Sequence, residues 1–138
     1  MGKTFHKLFY HVVWSTYLRE PIITEDIEKA LYPYIAIKAN QYNSKLLGIG
    51  GIENHIHLAI TIPPAESVGD IVGKLKGSSS HHLNKDLAIT ENFAWQDGYG
   101  VSSFAEKDLY SVLNYIHNQK KHHREKNLNL AMETSDGE

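Results

Sequence analysis

At 138 residues the chain suits one domain with a real core, and its shares of hydrophobic (41%) and charged (22%) residues are ordinary for a globular protein. It has no cysteine, which excludes a disulfide framework, a thiolate metal site and a thiol nucleophile. No apolar run approaches a membrane span and no signal-peptide core is visible, so the cytoplasm is the expected address; the formal net charge of −2 argues against a general polyanion binder unless basic residues cluster locally.

Residues 5–16 interleave Leu8, Tyr10, Val12 and Trp14 with Phe9, His11 and Val13. Both faces are largely apolar, which predicts a central strand, closed by Pro21. Thr24 is placed to cap a helix whose first turn carries Glu25 and Asp26, suited to the positive end of the helix dipole. Ile27, Leu31, Tyr34, Ile35 and Tyr42 recur at helical spacing, while Pro33 inside the run predicts a kink or a split. A second strand follows over residues 46–52, where Gly48, Gly50 and Gly51 imply a bulge or a close backbone approach. Glu53-Asn54 is the expected tight turn out of it.

Residues 55–62 then alternate strictly, with His55, His57, Ala59 and Thr61 on one side and Ile56, Leu58, Ile60 and Ile62 on the other. This is the pattern of a half-buried strand. Alternate residues of a strand share a face about 6–7 Å apart. The aliphatics therefore face a core and the two imidazoles share the open side. Neutral imidazole is the commonest protein ligand for a metal ion, so the pair makes half a metal site. With nine histidines in the chain an H-x-H spacing also arises without that role, so a second constellation is needed.

Pro63-Pro64 ends the strand, and Ser67 with Asp70 three residues on predicts the start of another helix. Val68, Ile71, Val72, Leu75 and Leu83 form its buried stripe, weakened by Gly73 and Gly77 at about 1 kcal/mol each. Lys74, Lys76 and Ser78, Ser79 and Ser80 fall mostly off the stripe, on a solvated face or a phosphate-contacting ridge. Residues 93–96 and 99–104 predict short strands around the turn-forming Asp97-Gly98. Ser103 and Glu106 make an S-x-x-E capping box for a final helix with Leu109, Val112, Leu113 and Ile116 as its core stripe. Lys120, Lys121, Arg124 and Lys126 then gather with His122 and His123. Residues 133–138 hold three acids and no base, and residues 127–138 are expected to be a flexible acidic tail of a single domain spanning 1–138.

The order strand–helix–strand–strand–helix–strand is the split βαβ, ferredoxin-like arrangement of an α+β fold. Two helices cover the face bearing Ile56, Leu58, Ile60 and Ile62. The extra C-terminal helix is left for the open face, with His55 and His57. On that helix Tyr115 and Gln119 stand four residues apart, on one side and well off the core stripe. A tyrosine so placed is ordinarily a partly buried packing residue. Here an amide shares its face and a basic cluster follows directly.

Taken together, Tyr10-His11-Val12-Val13-Trp14-Ser15-Thr16, Arg19-Glu20-Pro21, His55-Ile56-His57-Leu58, Lys74-Leu75-Lys76-Gly77, Trp95-Gln96-Asp97-Gly98-Tyr99-Gly100 and Tyr115-Ile116-His117-Asn118-Gln119 followed by His122-His123 resemble, in that order, the single-tyrosine HUH transposases of the smallest bacterial insertion sequences, the insertion-sequence-two-hundred-like TnpA proteins. The resemblance runs from about residue 6 to residue 126. It implies that His55 and His57 bind a divalent cation, Mg²⁺ or Mn²⁺, that Gln119 is the third protein ligand and that Tyr115 is the nucleophile. Two imidazoles and an amide oxygen would hold the ion without neutralising it, leaving positions for phosphate oxygen and water. A phenol ionises near pH 10, so phenolate is also a competent leaving group and a covalent 5′-phosphotyrosine can pass its strand to a new 3′ hydroxyl without a nucleotide cofactor. The implied substrate is single-stranded DNA folded into hairpins at the element's ends, and the implied assembly a homodimer whose active sites are shared between subunits. Lys74, Lys76, Lys120, Lys121 and Arg124 are the candidate phosphate contacts.

Three other readings remain open. One is a domesticated relative that nicks repeated hairpins without mobilising an element. Another is a non-catalytic single-stranded nucleic-acid-binding module on the same scaffold, disfavoured because RNA-reading sheets present aromatics where this strand presents histidines. The third is a structural zinc site using His122 and His123, poor co-ligands because adjacent helical positions point about 100° apart.

Overall fold

The computed structural model describes residues 2–126 and 128–135. Four strands, β1 (Phe9–Ser15), β2 (Lys45–Ile52), β3 (His55–Thr61) and β4 (Gly100–Phe104), form one antiparallel sheet in the order β2-β3-β1-β4. Helices α1 (Glu25–Gln41) and α2 (Val68–His81) supply the two crossovers, which makes the fold the expected ferredoxin-like one. Both helices start at the predicted caps: Thr24 Oγ1 accepts from Ile27 N–H and Ser67 Oγ from Asp70 N–H.

The β1–β3 register decides which residue meets which element. Tyr10, Val12 and Trp14 oppose Ile60, Leu58 and Ile56, and this face packs on α1 and α2 with Leu31, Ile35, Ile71 and Leu75 in a dry core. Full burial of each such side chain contributes about 1.5–3 kcal/mol. On the other face His11, Val13 and Ser15 oppose Ala59, His57 and His55. Here α3 (Leu109–His117) lies on β2 and β3, with Val112 and Ile116 buried against Ala59.

The glycines of β2 permit that contact. A β-bulge falls between Leu46 and Gly48, and a Cβ on Gly50 would run into the carbonyl oxygen of Ile116, one on Gly48 into the side chain of Leu113. The implied close approach is thus the seating of α3 directly on the sheet.

Four sequence expectations need correction. Pro33 does not split α1, which runs through it. Pro33 and Lys29, whose carbonyl loses its partner, are both on the solvated side, where water can replace the missing bond. Residues 93–96 do not pair with β4 across Asp97-Gly98; Ala94 and Gln96 bond instead to Tyr17 and Ser15 at the end of β1. Phe93 and Trp95 draw this stretch inward, Trp95 edge-on to Trp14 and donating its indole N–H to Ser79 Oγ. Ser103 caps nothing, because it pairs with Tyr10 inside β4, and α3 is entered through a 3-10 turn at Glu106–Asp108. The last helix is interrupted at Asn118 and resumes as α4 (Gln119–Arg124), so Tyr115 and Gln119 lie on two helices.

Of the stretch read as a flexible acidic tail, residues 127 and 136–138 lie outside the described residues. Within 128–135 a short helix, α5 (Leu130–Glu133), contacts β1 and β4.

Candidate active site

β3 presents both imidazoles on the open face, where α3, α4 and α5 bury them: His55 is 3% exposed and His57 0%. Three elements converge around the two rings. From α4, the Gln119 amide oxygen lies 3.3 Å from His55 Nε2. The α5 carboxylate of Glu133 puts Oε1 3.1 Å from His55 Nε2, 3.3 Å from His57 Nε2 and 3.4 Å from His123 Nε2. Tyr115, from α3, donates its hydroxyl hydrogen to Glu133 Oε2 and accepts from Asn129 N–H at 3.0 Å.

The far sides of the imidazoles are also engaged. His55 Nδ1 lies 2.8 Å from Asn54 Oδ1, and His57 Nδ1 lies 2.8 Å from Nε2 of His11, whose ring stacks on it. His122 stacks on Tyr115 while His123 turns toward Glu133, so the adjacent pair points in different directions, as helical geometry requires.

Electrostatics follow from this packing. Burial would push the Glu133 carboxyl up, but hydrogen bonds from His55, His57 and Tyr115 outweigh it and hold the group far below the usual carboxylate range. Burial, then the hydrogen bond to that carboxylate, raises the Tyr115 phenol to about 12. Burial lowers His57, and burial with the neighbouring His57 lowers His11 to about 4, so His11 is neutral at neutral pH.

Ligand atoms of His55, His57 and Glu133 all lie within 4.8 Å of one another, and the Gln119 oxygen borders them. Neutral nitrogens combined with carboxylate and amide oxygens suit a divalent cation, so the donor set fits a metal site. An open cleft of about 330 Å³ adjoins it, lined by His11, Val13, Tyr99, Gly100, Val101, Ser102 and Thr134.

All four residues singled out as chemical, His55, His57, Tyr115 and Gln119, therefore meet within one chain. The phosphate candidates do not gather with them as a patch. Lys76 is tied to the carbonyls of Gln96 and Gly98, Lys120 pairs with Glu28 at 3.0 Å, and Lys74 stands over the ring of Tyr42; Lys121 and Arg124 are exposed on α4. Sequence reasoning missed Glu133, whose acidic neighbourhood reads as solvated, and His11, which alternation sets opposite Tyr10 and Val12 but which only the β1–β3 register brings to the imidazole face.

Known proteins of similar sequence and fold share this frame. The ISDra2 transposase TnpA of Deinococcus radiodurans is 22% identical over 120 residues, covering 83% of this chain and 85% of that one. The transposase for insertion sequence element IS200 of Salmonella typhimurium is 26% identical over 115 residues, covering 80% and 75%. A crystal structure of a candidate transposase from Deinococcus radiodurans R1 superposes with a TM-score of 0.69 at 22% identity, covering 86% of this chain and 96% of that one. A REP-associated tyrosine transposase bound to a REP hairpin superposes with a TM-score of 0.64 at 14% identity, covering 89% and 74%. The family model described as "Transposase IS200 like" matches residues 4–119, a span that includes every one of the four converging residues, and the chain belongs to that family.

Proposed function

We propose that this transposase cuts and rejoins single-stranded DNA at hairpin-marked element ends through a covalent 5′-phosphotyrosine on Tyr115. One observation carries the reading: the Tyr115 hydroxyl and the Nε2 atoms of His55 and His57 close on a single carboxylate, that of Glu133. A carboxylate is an anion of the size of a phosphate edge, so the same space suits a scissile phosphate with its phosphorus facing the phenol. Family membership supports the substrate class, as does the REP-associated relative, whose structure has a REP hairpin bound.

The residues divide the work by position. His55, His57 and Gln119 would hold the divalent cation, Mg²⁺ or Mn²⁺, with Glu133 as a further oxygen donor while α5 is docked. A cation there supplies a Lewis acid that polarises the phosphate and stabilises charge on the departing 3′ oxygen. Tyr115 gives its proton to solvent water and its oxygen attacks phosphorus; the Tyr115 O–P bond forms as the P–O3′ bond breaks, and the 3′ oxygen leaves to take up a proton from water. Attack by a free 3′ hydroxyl runs the step backwards onto a new strand and returns the phenol. Lys121 and Arg124, exposed on the helix that carries Gln119, are the basic residues best placed to follow the DNA backbone.

With Mg²⁺ or Mn²⁺ and a single-stranded oligonucleotide carrying the element's own end hairpin, the full chain gives a denaturant-resistant protein–DNA adduct. Tyr115→Phe abolishes the adduct and keeps hairpin binding, while His57→Ala and Gln119→Ala reduce metal-dependent cleavage by an order of magnitude or more. An adduct persisting in Tyr115→Phe would assign the wrong nucleophile.

A further inference from the structure

We propose that His11 is a positioning residue for this chemistry: once a cation takes the place of the Nε2 proton that here faces Glu133, His11 Nε2 accepts the Nδ1–H of His57 and holds the tautomer whose Nε2 lone pair faces the cation. The inference rests on the reading of His55 and His57 as cation ligands.

The sheet makes the contact. His11 opposes Ala59 and Val13 opposes His57, so His11 and His57 are diagonal neighbours on one face of an antiparallel pair, within reach of long side chains. Their nitrogens lie 2.8 Å apart and their rings stack at 5.0 Å between centroids. His11 is 3% exposed and His57 0%, and among the described residues His57 is the one hydrogen-bond partner of the His11 side chain.

A bond between two imidazole nitrogens contains one proton, which allows two arrangements. If His11 donates, the His57 proton sits on Nε2, where it points into the site and blocks coordination. If His57 donates from Nδ1, its Nε2 is bare and can bind a cation. The companion imidazole has a simpler partner on its far side, since Asn54 Oδ1, an acceptor only, lies 2.8 Å from His55 Nδ1. Each ligating imidazole therefore has an acceptor behind it. Such partners hold ring orientation as well as tautomer, and losing one typically costs about 10–100-fold in metal affinity. A buried histidine on an otherwise apolar strand is costly unless its polar atoms are used, and an aliphatic residue would fill the space at lower cost.

The test titrates Mn²⁺ into the full chain, following free Mn²⁺ by electron paramagnetic resonance, for wild type, His57→Ala, His11→Ala and His11→Gln. Imidazole nitrogen spectra of the Mg²⁺-loaded wild type read the tautomers directly. His11→Ala weakens Mn²⁺ binding about 10–100-fold, and His11→Gln, whose amide oxygen can accept in place of Nε2, recovers most of it. The loaded wild type shows His57 protonated at Nδ1. Wild-type affinity in His11→Ala, or a Gln variant as weak as the Ala variant, overturns the role of His11 while leaving the ligand reading intact. No Mn²⁺ binding by wild type, or none lost in His57→Ala, overturns the ligand reading itself. Should His11→Ala fail to fold, a His57 proton on Nε2 in the loaded wild type overturns the proposal, and one on Nδ1 upholds it.

Discussion

Glu133 shows how much one side chain controls in this site. Its carboxylate meets both β3 imidazoles, and burial together with the bond from Tyr115 keeps that phenol un-ionised up to about pH 12. Removing the negative charge leaves burial as the one influence that raises the phenol, against the Asn129 N–H and the Gln119 side chain, which both lower it. Glu133→Gln therefore brings the Tyr115 pKa down toward its ordinary 10.0, read by a pH titration of the ring carbon resonance. A resonance still titrating near 12 in that variant would make burial alone responsible. His55 and His57 were legible from sequence because alternation on a strand is a one-dimensional pattern with a fixed geometric meaning. Glu133 was not: its contact with His57 spans 76 positions and depends on where a short terminal helix settles.

At the scale of elements, the site exists because α3 can lie flat on the sheet. Gly50 has the Ile116 carbonyl where a Cβ would be, a backbone obstacle that cannot rotate aside. Gly50→Ala should lift α3 from β2 and destabilise the fold by about 1–3 kcal/mol, the usual cost of overpacking, measured by chemical denaturation. It should also separate Tyr115 from the imidazoles and so lower cleavage beyond the loss of stability. Gly73→Ala in α2, where a Cβ meets open space, is the control that should be neutral or slightly stabilising. The caps of α1 and α2, both strands of the His hairpin and the buried stripes were readable because each is a local pattern. The fate of residues 93–96 was not, because Asp97-Gly98 favours a hairpin locally while Phe93 and Trp95 gain more from burial beside Trp14. Tertiary packing overrode a sound turn signal. The break at Asn118 escaped for the opposite reason, since neither proline nor glycine marks it.

For the whole molecule, the consequence concerns assembly. The resemblance implied active sites shared between two subunits; within a single chain the phenol and the imidazoles already stand together, with α3 on its own β2. If that single-chain arrangement is the one that cleaves, a mixture of Tyr115→Phe and His57→Ala proteins forms no more adduct than either variant alone. Restored adduct in the mixture would show that the tyrosine reaches a second copy. Among the described residues no helix is long and apolar enough to cross a membrane.

The seating of α5 carries the last consequence. Thr134 presents its carbonyl where Gly100 lacks a Cβ, Ser135 accepts from Arg19 at 3.1 Å, and Glu133 fills the gap between phenol and imidazoles. Should the site take a scissile phosphate as proposed, the incoming strand would have to displace Glu133, and α5 with it, from that gap.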